Sequence, residues 1–318
     1  MIKNQIDPDL LVMLDTEVDL NFWENLPEAR ATRRALSEET GTNVSVMDHI
    51  VFEDHLIPEA GNNPNLRIRV YRPETTSGPV PALLWVHGGG YVVGSIDAEV
   101  SIMQRLVDEV GCIVVAVEYR LAPEHPYPMP LDDCYQALSW LFANTDKLGI
   151  NADKVAIAGI SAGAGLAAGL ALMARDLGDY KIIFQLLLCP MLDDRNDQLS
   201  THMDLTGISW DRLCNQNGWQ AYLAGPYQEG LHHYAVPFRV EDLSNLPPAY
   251  ISVGSLDLFL DEDIQYARRL LEAQVAAELH VFPGGIHAFE FFVPSARLSS
   301  RAHYLNYEIL KHAFSRQS

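Results

Sequence analysis

Positive charge is scarce in this chain: 22 Lys and Arg stand against 42 Asp and Glu, a formal charge of -20 over 318 residues. A field of that sign repels polyanions, which argues against nucleic acid as a partner, and solubility is its plain use. Cysteine is sparse too. Cys112, Cys134, Cys189 and Cys214 form no CxxC pair, and two of them sit in or beside apolar runs. They read as reduced, buried and inert, so a cytoplasmic location is expected. No apolar run is long enough to span a membrane, and the opening MIKNQIDPDLLVMLD has too short and too acid-flanked an apolar part for a signal peptide. Internal repeats and low-complexity linkers are also lacking.

What is present is apolar sequence in a definite rhythm, 48% of the chain, enough for a large core. Residues 7 to 40 read as two helices. Asp7-Pro8 places a capping acid before a proline at the first helical position, and a second run starts at Leu26-Pro27 and ends near Gly41. β-rich stretches at 44 to 57, 66 to 72 and 82 to 86 follow, and then the apolar runs CIVVAVEY, KVAIAGI, KIIFQLLL, AYISVGS and ELHVF. Helical patterns fall near 97 to 110, 132 to 147, 162 to 177, 261 to 274 and 297 to 315. Strands that are apolar throughout need cover on both faces. The expected fold is therefore α/β: a mostly parallel central sheet covered by helices on both faces, preceded by an antiparallel meander. Residues 1–43 would form an N-terminal helical cap over a main domain at 44–318. The segment at 192–245 breaks the alternation with Trp210, Trp219, Tyr222 and Tyr227 and would contribute to the cap.

The strand KVAIAGI runs into Gly159-Ile160-Ser161-Ala162-Gly163 and then a helix, the strand, sharp turn and helix of a nucleophile elbow. Glycines two positions either side of the serine are needed because side chains there would collide with the tight turn. The overlapping Gly163-Ala164-Gly165-Leu166-Ala167-Ala168 also fits a dinucleotide-binding fingerprint, but the strand is mid-chain and the next strand ends in Cys189-Pro190 with no acid for a ribose. Gly165 and Gly169 read instead as letting the helix pack close to the sheet. Upstream, ALLWV runs into His87-Gly88-Gly89-Gly90, whose glycine N–H groups are free to turn toward a carbonyl oxygen. Gly88, Gly89 and Ala162 are the expected oxyanion donors, with His87 holding the loop. In this order of chemistry the acid and then the base follow the nucleophile on loops after strands. Asp257, three residues past Gly254, and His287, after Gly284-Gly285, meet that requirement, whereas Asp261, Glu262 and Asp263 read as the first turn of a helix. Ser161, Asp257 and His287 are thus the expected catalytic residues of an acyl transfer on a small-molecule ester. No cofactor is required, and no His/Cys/Asp group has metal-ligand spacing.

In combination, His87 to Gly90, Tyr119-Arg120-Leu121-Ala122-Pro123-Glu124, Asp132-Asp133, Gly159 to Gly163, Asp257 and His287 with Phe289 resemble the hormone-sensitive-lipase family of carboxylesterases from about residue 40 onward. That resemblance implies an α/β-hydrolase domain beneath a cap, hydrolysis of short-to-medium acyl esters, and homodimers, for which the strand at 277–282 and its neighbouring helix are the candidate surface. The chain departs from the family pattern at Ile160, where Asp is usual, and at Tyr91, Leu258 and Leu260. An amidase, peptidase or lactonase with the same triad remains open, as does a non-catalytic ligand receptor of the same fold. Because neutral imidazole is the reactive form of His287, the rate should fall as pH drops into the acid range; a rate unchanged down to acid pH contradicts the assignment.

Overall fold

Apolar sequence that needs cover on both sides is met by one sheet between two helical layers. The computed structural model describes residues 2–15, 22–43, 47–58, 65–230 and 232–316. Its strands are β1 (Ile50–Ile57), β2 (Leu66–Pro73), β3 (Val80–Val86), β4 (Ile113–Val117), β5 (Ile150–Ile160), β6 (Phe184–Leu188), β7 (Ala249–Leu256) and β8 (Ala277–Ile286). They form a single sheet in the order β1-β2-β4-β3-β5-β6-β7-β8. β1 and β2 pair antiparallel, as do β2 and β4, and every other pairing is parallel.

The expected meander is therefore corrected. β2 pairs with β4, and β3 lies between β4 and β5. The reason is burial. β3 is apolar on both faces and belongs at the centre, whereas β2 carries Arg67 and Arg69, which pair with Asp54 on β1 and with Asp97. β1 leaves half of its side chains exposed and takes the edge.

The helices are α1 (Leu26–Asn43), α2 (Val100–Val110), α3 (Met129–Ala143), α4 (Thr145–Leu148), α5 (Ala162–Leu177), α6 (Arg212–Leu223), α7 (Leu260–Glu272), α8 (Phe289–Phe292) and α9 (Arg297–Ser315). Alternation along β3 sorts them. Ala82, Leu84 and Val86 pack with α3, α5 and α7, while Leu83 and Trp85 pack with α2 and α9. Three boundaries differ from the sequence pattern. The expected strand at 44 to 57 starts at Ile50 after a turn at Asp48-His49, and 44–46 lie outside the described residues. Residues Pro8–Asp15 form a 3₁₀ helix, opened by Leu10 N–H bonding to the Asp7 carbonyl and Asp9 N–H to the Asp7 side chain. The helix at 132 to 147 begins earlier, at Met129, and is interrupted at Asn144, whose side chain bonds back to the Trp140 carbonyl.

Behind the sheet's C-terminal edge, Asp133 on α3 is 1% exposed and accepts the Arg120 backbone N–H at 2.8 Å and its guanidinium at 2.6 Å. Removing one partner of such a pair strands the other. Asp133→Ala is expected to cost about 3 kcal/mol and lower the melting temperature by several degrees, measured by thermal denaturation. An unchanged melting temperature would show that the pair is dispensable.

Candidate active site

The site starts from a steric problem at the end of β5. Ser161 sits between that strand and α5 at φ 56°, ψ -123°, a conformation that L-residues avoid. Its backbone is held there from three directions: its N–H bonds to the Leu188 carbonyl at 2.8 Å, and its carbonyl accepts from Met191 N–H at 3.1 Å and Gly165 N–H at 3.0 Å. A β-carbon on Gly163 would lie 2.2 Å from the Val86 carbonyl oxygen and 2.3 Å from that of His87, so α5 approaches β3 only because position 163 is bare. Gly165 and Gly169 do something other than the sequence reading held. They face the Met191 and Tyr234 carbonyl oxygens, at 2.3 and 2.4 Å from where β-carbons would stand, and so admit irregular chain rather than sheet.

Asp257 follows β7 and His287 follows β8, two adjacent strands of which β8 is the edge. His287 Nε2 lies 2.9 Å from Ser161 Oγ, and its Nδ1 lies 2.9 Å from Asp257 Oδ2. With the proton on Nδ1, the ring donates to Asp257 and accepts from the serine hydroxyl. All three residues are buried. Phe259 N–H donates to Asp257 Oδ1 at 3.0 Å, and the Phe259 ring stands edge-on to the imidazole, 5.0 Å between centroids. Two of the three acids that open α7 hold loop backbone. Asp261 accepts from Ser200 N–H, and Glu262 from the N–H groups of Leu192 and Asp193.

The glycine loop lies against the serine. A β-carbon at Gly88 would be 3.6 Å from Ser161 Cβ, Gly89 has φ 121°, and Ala162 opens α5. His87 Nδ1 contacts the Gly88 carbonyl at 2.8 Å, and its ring stacks on Tyr119, which donates its hydroxyl to the His87 carbonyl. Burial holds His87 below its ordinary pKa, so it stays neutral, as a loop-fixing residue can.

A cavity of about 290 Å³ opens beside Ser161 and His287, walled by Met13, Phe22, Ile102, Ile160, Trp210 and Phe291, with Arg33 at its margin. Of the four aromatics singled out at 192–245, Trp210 reaches it. Trp219 and Tyr222 pack instead on Tyr91 in the core, and Tyr227 lies under Arg239. Ile160 keeps that wall apolar where a carboxylate is usual. The N-terminal segments are tied to the same loops: Asp7 N–H bonds to the Gly284 carbonyl, and Arg30 donates to the Val92 and Ala122 carbonyls at 2.7 Å and to Glu124.

Three buried groups beside the site carried no sequence signal. Trp85 Nε1 donates to Glu99 Oε2 at 2.6 Å, and burial pushes this acid up to about 8. Burial likewise pushes Glu290 up to about 7. Cys189 lies with Asp257 and His287, ligand atoms within 4.8 Å of one another, a spatial grouping that linear spacing does not reveal. Its donor chemistry fits a metal poorly, because burial and then Asp257 push the thiol well up and keep it protonated.

With this geometry described, the comparisons fix the class. The profile of the family described as alpha/beta hydrolase fold matches residues 83–291, and the chain belongs to that family, in its hormone-sensitive-lipase-like branch. Among its relatives, carboxylesterase NlhH of Mycobacterium tuberculosis is 33% identical over 307 residues, 92% of each chain. An ethyl acetate hydrolase of Pseudomonas putida is 31% identical, covering 89% of this chain and 92% of its own. The solved structure of a bacterial heroin esterase superposes with a TM-score of 0.91 at 37% identity, covering 99% of this chain and 100% of the other.

The buried acids make a stability prediction. Both have folded pKa values above their unfolded ones, so their contribution is fully present below the unfolded value and is lost as pH rises through about 7 to 8. The melting temperature should fall between pH 6 and pH 9 on the order of several degrees, and Glu290→Gln should narrow that difference. A difference as wide as wild type's would clear Glu290.

Proposed function

We propose that the protein is a serine carboxylesterase that hydrolyses short-to-medium acyl esters through an acyl-enzyme on Ser161. The observation that carries this reading is the unbroken line of 2.9 Å contacts from Ser161 through His287 to Asp257, at the floor of an apolar cavity. His287 takes the serine proton as Oγ attacks the ester carbonyl and returns it to the leaving alcohol, while Asp257 stabilises the imidazolium. The N–H groups of Gly88, Gly89 and Ala162 receive the developing oxyanion, and water then releases the acid by the same base. A cavity of about 290 Å³ suits a small ester rather than a long acyl chain.

Residues 1–43 and part of 192–245 act in this reading as a cap over a hydrolase domain at 44–318. Support comes from Met13, Phe22 and Trp210 in the cavity wall and from the bonds of Asp7 and Arg30. Homodimerisation along the edge strand β8 and a cytoplasmic location complete the proposal. The first is favoured by the half-exposed outer positions of β8 and the second by four buried free thiols. A monomer by light scattering would remove the dimer.

Ser161→Ala is expected to lower kcat for p-nitrophenyl acetate by at least about a thousandfold, and wild-type rates should fall from butyrate to palmitate. A wild type inert toward every ester, yet active on amides or lactones, would reassign the scissile bond. Arg30→Ala, which frees α1 from the loop at Val92, is expected to raise KM several-fold with a smaller change in kcat. Unaltered KM would count against the cap.

A further inference from the structure

Glu99 is the one acid lining the cavity that holds Ser161, among the described residues. It ends a 3₁₀ turn, Ile96–Glu99, that α1 packs against, and it is 7% exposed. Its carboxyl accepts Trp85 Nε1–H at 2.6 Å from the strand that leads into the glycine loop, and it shares the cavity with Gly88, whose backbone N–H favours its ionised form. That backbone N–H is the one assigned above to the oxyanion. The carboxyl and the developing oxyanion therefore lie on one cavity, within reach of the same N–H dipole.

We propose that Glu99 is a positioning residue that must be protonated for the reaction. As a neutral acid it is a weak acceptor and leaves the Gly88 N–H to the oxyanion. As a carboxylate it captures that N–H and sets a negative charge beside the charge that the reaction develops, and both effects slow acyl transfer. The proposal rests on the serine-hydrolase reading of the site.

The surroundings favour the neutral form. Burial acts first and pushes the group up to about 8, and the charge of Glu118, which follows β4, adds to it. Nearby cations are committed or turned elsewhere. Arg67 and Arg69 pair with Asp54 and Asp97, Arg30 pairs with Glu124, and Arg105 of α2 acts on His303 and Tyr307. Arg33 lines the same cavity over the Phe22 ring, Arg34 a cleft beside Ala98, and Tyr71, His87, Tyr119 and His287 are the other titratable groups around the turn or across the cavity.

The test compares pH profiles of kcat/KM for a soluble acetate ester and of Ser161 labelling by a fluorophosphonate, in wild type and Glu99→Gln. The shape of the profile is the readout, not its height. Wild type should fall about tenfold per pH unit above about pH 8 in both measurements, and Glu99→Gln should lack that fall. A protonated-carboxyl infrared band that wild type loses over the same range should be missing from Glu99→Gln. Because the Trp85 hydrogen bond favours the ionised form, Trp85→Phe should move the alkaline fall to higher pH, a second variant should Glu99→Gln not fold. An identical alkaline fall in Glu99→Gln, a wild type flat to high pH, or no protonated-acid band at neutral pH overturns the proposal. Labelling that follows the expected profile in an enzyme inert toward esters would instead remove the ester reading and leave Glu99's role standing.

Discussion

Crowding where β3 and β5 end governs the arrangement of everything around Ser161. The backbone of α5 comes against the Val86 and His87 carbonyl oxygens at a distance no β-carbon allows at Gly163, and Gly159 is as close to Gly163 itself. That contact forces the turn at Ser161 into positive φ and sets the serine beside the glycine loop leaving β3. Neither strand could be moved outward without separating Ser161 from its neighbours. The central place of β3 in the sheet is thus both a packing result and the condition for the site.

Electrostatics around the site follow from burial rather than from net charge. A chain with a formal charge of -20 buries Asp257, Glu99 and Glu290 around the site, and burial favours the protonated form of Glu99 and Glu290. Asp257 has His287 as partner and a backbone N–H on its other oxygen. The N-terminal segment is tied to the loops carrying this chemistry at two points, Gly284 before His287 and Val92 after the glycines.

The residues of the candidate site were legible because each is marked by local grammar. A strand, a glycine-flanked serine and a helix can be read in one continuous run from Lys154 to Ala174, and Asp257 and His287 stand just past the ends of apolar strands. The meander failed because strand pairing is a long-range choice: β2 and β3 are neighbours in sequence, but the apolar faces of β3 draw it to the centre. Gly165 and Gly169 were assigned to the sheet because a helical glycine shows only that something comes close, not what. Glu99 is one of 42 acids, and nothing in its neighbours says that its carboxyl is under a tryptophan.

Local sterics, periodicity and apolar content, all readable in the sequence, set the fold class, the order of the chemical groups along the chain and the turn that carries Ser161. The tertiary structure decided which strands are neighbours, which aromatic of the 192–245 segment meets the cavity, and which acids lose water and keep their protons. Those depend on contacts between residues far apart in the chain, such as Trp210 on Gly90 or Cys189 beside His287, and no local pattern encodes them.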